Sequence, residues 1–385
     1  MGERAVITGL GLVTPLGLGV DATWNALLAG KYITNHSRIH FATPASLVLP
    51  SENRKRDAGV AATLAINAAL EAVEQRRWQG DGPTALVVGT SKGAVTSWLD
   101  DLAPLPHMDD AACVAGGLDH GLASIGVEVG KALRLPDGPR LTVSAACASG
   151  LVALVRAAMM IQSGEVKRAL VVAAEASVHP LFIGCFQRLG VLPREEIGCR
   201  PFDQHRDGFL ISEAAAAVCL EAAESDSTPR PQPWAAIDRF ALGGDATHIT
   251  GSDSSGEVLG RLLDGLELGR GVDLIHAHAT GTVSNDPVEL TAYEHACAEA
   301  ETAPIVYSHK GALGHTLGAS GLVSVVLNCM SHRTGIVPGN VRTTRPLVSR
   351  RVRIPREVQK RDIRRSAAIA AGFGGAMAGI ALISQ

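Results

Sequence analysis

The sequence predicts an α/β fold, and three observations carry that prediction. Short apolar runs alternate with longer stretches of helical periodicity, in both halves of the chain. Some runs, such as residues 168–173, are apolar almost without a break, which suits strands covered on both faces. Aromatic residues are only 4% of a chain that is 46% hydrophobic, so the core must be packed from Ala, Val, Leu and Ile. At 385 residues there is enough chain for two domains or one fused double domain.

Residues 5–9 read as the first strand and 10–19 as a Gly/Pro-rich turn. Gly9 and Gly11 match part of a dinucleotide fingerprint. The turn runs on through Thr14-Pro15, and the next helix starts only near Asp21, which argues against a nucleotide site. Asp21 is placed as the N-cap of a helix over 22–28, with Gly30 past its end. Residues 32–53 are irregular and polar. A helix follows over 58–75, then a strand over 85–89 with Thr90-Ser91-Lys92-Gly93 as its loop. Helical segments over 108–133 are broken at Gly116-Gly117. Residues 141–145 read as a short buried strand, 151–161 as a helix closed by Gly164, and 168–173 as a strand ending at Glu175. A turn at 200–203 precedes a loop and buried strand over 208–220. The charged, then Ser/Pro-rich stretch 221–233 divides the chain into 1–228 and 229–385. Beyond it the alternation restarts: strand 234–242, helix 256–266, strand 272–277, helix 287–300, strand 304–308 and helix 321–330. A final hairpin pairs 366–371 with 376–383 across Gly372 to Gly375. The restart points to a duplicated fold.

A net charge of −3 makes neither nucleic acid nor membrane the general partner. The seven cysteines (Cys113, Cys147, Cys185, Cys199, Cys219, Cys297 and Cys329) show no Cys-x-x-Cys pair. That argues against a disulfide framework or zinc knuckle and for a reducing, cytoplasmic setting. Met1-Gly2-Glu3-Arg4 leads straight into a strand with no signal peptide, and the apolar run 151–161 is too short to span a bilayer.

Chemistry concentrates in four stretches. In Thr142-Val143-Ser144-Ala145-Ala146-Cys147-Ala148-Ser149-Gly150, a strand turns into a helix through small residues, and Cys147 sits at the turn. Free amides and the positive dipole end there lower a thiol pKa and can bind an oxyanion; the bland alternative is a small buried hydrophobe. His276-Ala277-His278-Ala279-Thr280-Gly281-Thr282 follows a strand, so His276 and His278 share a side, as a metal pair or as structural histidines. Asn285-Asp286-Pro287 then opens a helix with Asp286 as the cap. Ser308 to Gly321 is a glycine-rich loop carrying Lys310 and His315. Ala371-Gly372-Phe373-Gly374-Gly375 is a turn able to bring backbone amides to the nucleophile.

Taken together, these stretches resemble the β-ketoacyl-acyl carrier protein synthases, the elongating condensing enzymes of fatty acid and polyketide synthesis. The resemblance covers nearly the whole chain and is densest over 143–221 and 273–321. It implies a duplicated thiolase-type βαβαβαββ fold in five αβαβα layers, an acyltransferase activity, and a homodimer, with a heterodimer as the variant. It makes Cys147 the acyl-accepting nucleophile and His278 and His315 the paired histidines. Lys310 becomes the lysine that organises the second histidine, with Glu289 as its ion partner. Thr280 and Thr282 bind the phosphopantetheine arm, and Phe373 is the gate and half of the oxyanion hole. The implied partner is acyl carrier protein, with no metal, no nucleotide, no nucleic acid and no membrane insertion. Arg200-Pro201-Phe202-Asp203 and Arg206-Asp207-Gly208-Phe209 match a structural signature of the family.

Four departures stand out. Ala279 replaces a glycine, Ala376-Met377 replaces Thr-Asn, Ser212-Glu213-Ala214 replaces Gly-Glu-Gly, and the region 32–57 is short. They bear on substrate range and the acyl gate. Rival readings are a non-catalytic partner subunit resembling chain-length factors, which typically lose the nucleophile retained here, and a thiolase, which would need a second catalytic cysteine near the C-terminus. A cysteine hydrolase fits the two histidines less well. Arg350-Arg351-Val352-Arg353 with Lys360, Arg361, Arg364 and Arg365 forms a basic cluster, either a solvated face or a dock for an acidic carrier protein.

Overall fold

The computed structural model of the chain describes residues 3–39, 59–76, 83–95, 99, 121–194, 197–223, 232–248 and 253–385. The first half supplies strands β1 (Ala5–Thr14), β2 (Thr84–Gly89), β3 (Arg140–Val143), β4 (Arg168–Glu175) and β5 (Ala214–Ala222). The second supplies β6 (Ala235–Gly244), β7 (Leu274–His276), β8 (Ile305–Tyr307), β9 (Arg365–Ala371) and β10 (Ala376–Ile383). Their spatial order is β3-β2-β4-β5-β1-β6-β10-β9-β7-β8. Counted within each half, from outer edge to seam, both sets run third, second, fourth, fifth, first. The directions repeat too: the second, third and fourth strands are parallel and the fifth is antiparallel to its neighbours. The halves join where β1 meets β6, Val6 opposite Ala236 and Ile7 opposite Ala235.

Helices cover both faces. They are α1 (Val20–Leu28), α2 (Gly59–Arg76), α3 (Ser124–Ala132), α4 (Ser149–Gln162), α5 (Pro180–Arg188), α6 (Glu257–Gly265), α7 (Asn285–Ala296), α8 (Lys310–Leu313) and α9 (Ser320–Thr334). Alternate residues of each strand feed different cores. In β4, Ala169, Val171 and Ala173 pack towards α4, whereas Leu170, Val172 and Ala174 pack towards α2 and α3. In β9, Ala368 and Ala370 face α9, whereas Ala367 and Ile369 face α6 and α7. The middle helices α4 and α9 are buried almost all round, as the apolar composition of both faces requires. The result is the five-layered αβαβα arrangement. Among the described residues no helix is long and apolar enough to cross a membrane.

The structure corrects several readings. β1 continues past Gly9 to Thr14, so residues 10–14 are strand rather than turn. The glycines are there because α2 crosses close above: a Cβ on Gly11 would stand 1.8 Å from the Ala68 carbonyl oxygen. A bulge between Ile7 and Gly9 then shifts the inward set from Ala5 and Ile7 to Leu10 and Leu12. α1 begins at Val20 behind Gly19, leaving Asp21 inside the first turn instead of at the cap. β3 ends at Val143 and is a half-exposed edge strand, not a buried one. Ser284 holds the cap position of α7, and Asp286 is turned inward. The expected helical break at Gly116-Gly117 and most of the irregular stretch 32–53 lie outside the described residues.

Candidate active site

Cys147 stands on the turn between β3 and α4. Ala146 before it adopts φ 46°, a left-handed conformation that a small side chain tolerates best. Ser149 braces the turn: its Oγ accepts from the Ala145 amide (2.9 Å) and donates to the Ala146 carbonyl (2.6 Å). The β9–β10 loop closes against it, so that a Cβ on Gly372 would lie 2.7 Å from the Ala145 oxygen and 3.1 Å from the Cys147 nitrogen. Among the described residues the amides of Cys147 and Phe373 have no hydrogen-bond partner, which leaves two donors open at the nucleophile.

The second half delivers two imidazoles to the same place. His278 follows β7, and His315 follows α8. Their ring centroids are 5.5 Å apart and their planes cross at 79°. Phe209 packs edge-on to His315 at 4.9 Å. Cys147, His278, His315, Thr280, Thr282 and Phe373 all line one cavity with an open mouth. Phe186, Val191 and Phe209 form an apolar wall of the same cavity. Convergence depends on the close crossing of α4 and α9 near their N-termini, where a Cβ on Gly321 would come within 2.6 Å of Leu151 Cγ.

Charge fixes the states of these groups. Burial, and secondly the positive charge of Lys310, hold His278 and His315 well below the usual imidazole range, so both rings are neutral at pH 7. Each ring's Nδ1 is buried without a hydrogen-bond partner. A lone pair is less costly to strand than an N–H, so the proton belongs on Nε2 as a donor to a ligand. Burial pushes the Cys147 thiol up to about 11, with Lys92 and then Lys310 pulling it back and Glu175 adding to the rise. Burial thus opposes the lowering expected from the helix dipole.

Lys310 is buried and lowered to about 8 by desolvation, against the opposing pull of Glu289. It donates to the His278 carbonyl oxygen. Glu289 is not its direct ion partner. The Glu289 carboxylate instead accepts from the amides of His278 (2.6 Å) and Ala279 (2.7 Å), from Asn285 Nδ2 (2.9 Å) and from the Tyr293 hydroxyl. Lysine and glutamate thus grip opposite sides of one backbone turn, and that turn aims His278. Asp286 does similar work nearby, accepting from the amides of Phe202 (2.7 Å) and Gly281 (3.1 Å). Thr280 Oγ1 and Thr282 Oγ1 lie 3.0 Å apart on the cavity wall.

His276 does not share the side of His278. Its Nδ1 meets Asn328 Oδ1 (3.0 Å) and its Nε2 meets His309 Nδ1 (2.9 Å). Asn328 Nδ2 donates to the Ala367 carbonyl (3.1 Å), so its Oδ1 must accept from His276. With both nitrogens engaged His276 cannot ligate a metal, and no group of three or more His, Cys, Asp or Glu among the described residues is placed to hold one. Ala279 adopts φ 26° and is buried, which accounts physically for a glycine preference at that position. Met377 lines a second, smaller cavity that shares His278, Asn285, Val288 and Ala371 with the first. Glu213 accepts from the Ile39 amide at 3.1 Å, and Ser212 Oγ is buried without a partner. In the basic cluster, Arg365 is structural: it pairs with Asp238 at 3.0 Å and donates to the carbonyls of Glu267 and Gly271. Arg364 is 82% exposed beside Asp362.

Spacing alone misses Tyr293 and Asn285, which help hold Glu289, and Lys92, whose charge reaches both Cys147 and His315. The available signal for Lys92 was a lysine placed directly after a buried apolar strand.

A duplicated α/β chain with a cysteine from one half and two neutral histidines from the other defines a thiolase-type acyltransferase. Residues 40–226 match the β-ketoacyl synthase N-terminal domain and residues 234–344 its C-terminal domain. The chain belongs to the β-ketoacyl synthase family. It is 28% identical to the 3-oxoacyl-(acyl-carrier-protein) synthase 2 of Rhizobium meliloti, over 99% of this chain and 98% of that one. It is 30% identical to the actinorhodin polyketide β-ketoacyl synthase 1 of Streptomyces coelicolor, over 97% and 87%. The solved ishigamide ketosynthase/chain length factor superposes with a TM-score of 0.87 at 25% identity, covering 100% of both chains.

Proposed function

We propose that this ketosynthase joins an acyl group held on Cys147 to a malonyl unit delivered by an acyl carrier protein, using Cys147, His278, His315, Thr280, Thr282 and Phe373 of the cavity. The observation that carries this is the meeting of Cys147 with two neutral imidazoles in one cavity. In the first step the thioester carbon–sulfur bond of the acyl carrier breaks and a bond to Cys147 Sγ forms. The thiol proton leaves with the pantetheine sulfur. The amides of Cys147 and Phe373 receive the tetrahedral oxyanion.

Malonyl thioester then binds along Thr280 and Thr282 and loses carbon dioxide. The electron pair of the broken bond becomes an enolate. His278 and His315, both donating through Nε2, stabilise its oxygen. Neutral rings suit this role, since a protonated imidazole would surrender its proton to the enolate and quench the carbon nucleophile. That carbon attacks the acyl-cysteine, the Cys147 thiolate departs and takes one proton from solvent, and a β-ketoacyl thioester remains. Lys310 and Glu289 position His278 without touching the reacting atoms. The reaction as drawn calls on no metal or nucleotide.

The half-exposed edge of β3 offers unpaired backbone groups to a second subunit, identical or related, and light scattering would measure the resulting mass. For the carrier dock, Arg364 is the informative charge in its cluster, because reversing Arg365 would break a structural pair. The deciding experiment is mass spectrometry of the intact protein with acyl carrier thioesters. Cys147→Ala should abolish covalent loading. His278→Ala and His315→Ala should retain loading yet lose malonyl decarboxylation. Loading that survives Cys147→Ala would overturn the assignment.

A further inference from the structure

The loop after β2 carries a charge that Cys147 and His315 feel but that the reaction above gives no contact. Lys92 lies behind the nucleophile turn, where Ser144 Oγ donates to the Ser91 carbonyl at 3.2 Å. Its ammonium donates to Ser91 Oγ at 2.8 Å and sits over the rings of Phe182 and Phe186, 5.2 and 5.8 Å from their centroids. Phe186 belongs to the wall of the cavity that holds Cys147. Glu175, the buried acid beside this loop, is already occupied. It accepts from the Ser91 amide (3.0 Å), Ser91 Oγ (2.6 Å), the Gly318 amide (3.2 Å) and Ser177 Oγ. Among the described residues no carboxylate lies within 4.0 Å of the ammonium, and of its three N–H donors one has an acceptor there.

A saturated acyl chain running from Cys147 along Phe186 would gain nothing from this ammonium and would strip it of water. A chain that ends in a carboxylate would instead supply acceptors to the free donors and form a charge-assisted pair. We propose that Lys92 is a specificity-determining residue that selects acyl groups bearing a terminal carboxylate, namely monothioesters of short dicarboxylic acids. This rests on the reading of Cys147 as the acyl acceptor. The transfer step is unchanged: the carrier carbon–sulfur bond breaks, the Cys147 Sγ–carbon bond forms, and the thiol proton leaves with pantetheine. The distal carboxylate stays ionised against Lys92.

The test is a competition between adipoyl and hexanoyl pantetheine thioesters, equal in chain length, read as the mass added to the intact full chain. The wild type should load adipoyl about tenfold faster or more, the size of one hydrogen bond to a charged group. Lys92→Met should turn the preference to hexanoyl, and Lys92→Arg should keep it. Equal loading of the two acyl groups by the wild type, or a preference for hexanoyl, would overturn the proposal even if Lys92→Met fails to fold. Equal slowing of both acyl groups in Lys92→Met would also overturn it, leaving Lys92 as a general aid to the thiol. No loading of either acyl group would sink the acyl-acceptor reading itself, and this inference with it.

Discussion

Glu289→Gln removes half of one carboxylate and tests how His278 is held. In the native protein Oε1 serves the His278 amide and the Tyr293 hydroxyl, while Oε2 serves the Ala279 amide and Asn285 Nδ2. A carboxamide keeps one oxygen and turns the other into a donor, so one of these pairs faces N–H instead of oxygen. Each buried donor left without an acceptor costs about 1–3 kcal/mol. The Tyr293 hydroxyl or the Asn285 amide can turn away, whereas a backbone N–H cannot. The expected loss is therefore roughly 1–3 kcal/mol, a sizeable part of a stability of about 5–15 kcal/mol. Denaturant unfolding should show a lower midpoint at unchanged slope. Condensation should fall further than Cys147 loading, because His278 loses its aim and Cys147 does not. A stability loss under about 1 kcal/mol, or equal loss in both half-reactions, would refute the clamp.

Lys310→Met removes the charge that helps depress His278 and His315, so the acid limb of the condensation pH profile should move towards neutrality; a stationary limb would contradict that role. Acid should destabilise the fold. His36, His276 (about 3), His278, His309, His315 and His332 (about 4) all have folded pKa values lowered by burial. Below pH 6.5 the unfolded chain therefore takes up protons that these rings refuse, and stability falls with pH. Asp286 (raised to about 7), Glu71 and Glu213 act the other way, lending stability at low pH that fades as pH rises. With six groups against three, unfolding midpoints measured from pH 6.5 to 5 should decrease. Gly11→Ala should cost about 3 kcal/mol or fail to fold, because the new methyl meets the Ala68 carbonyl of α2; a midpoint within error of wild type would show that α2 can retreat.

The strands were legible wherever a run was apolar on both faces, as in β4 and β5, since burial between two helical layers demands that composition. The end of β1 was not, because Gly9 and Gly11 read as turn residues when only their distance to α2 explains them. Cys147 and the histidines were found because their types and neighbours are unusual. The bonds around them were hidden. Asp286 looks like a cap at the start of α7 and instead binds backbone from residue 202. His276 and His278 differ by two positions, yet one faces the cavity and the other finds partners 33 and 52 residues further along. Long-range pairing of that kind leaves no local periodicity to read.

Placing α4 and α9 back to back between the two halves of the sheet has a consequence for how the polypeptide is made. The ribosome releases α4 long before α9, and α4 is apolar on nearly every side. Until the second half is synthesised, the inner face of β4 and β5 and the helix lying on it lack their cover. Vectorial folding thus exposes a sticky intermediate during translation, and chaperone demand should concentrate in that interval.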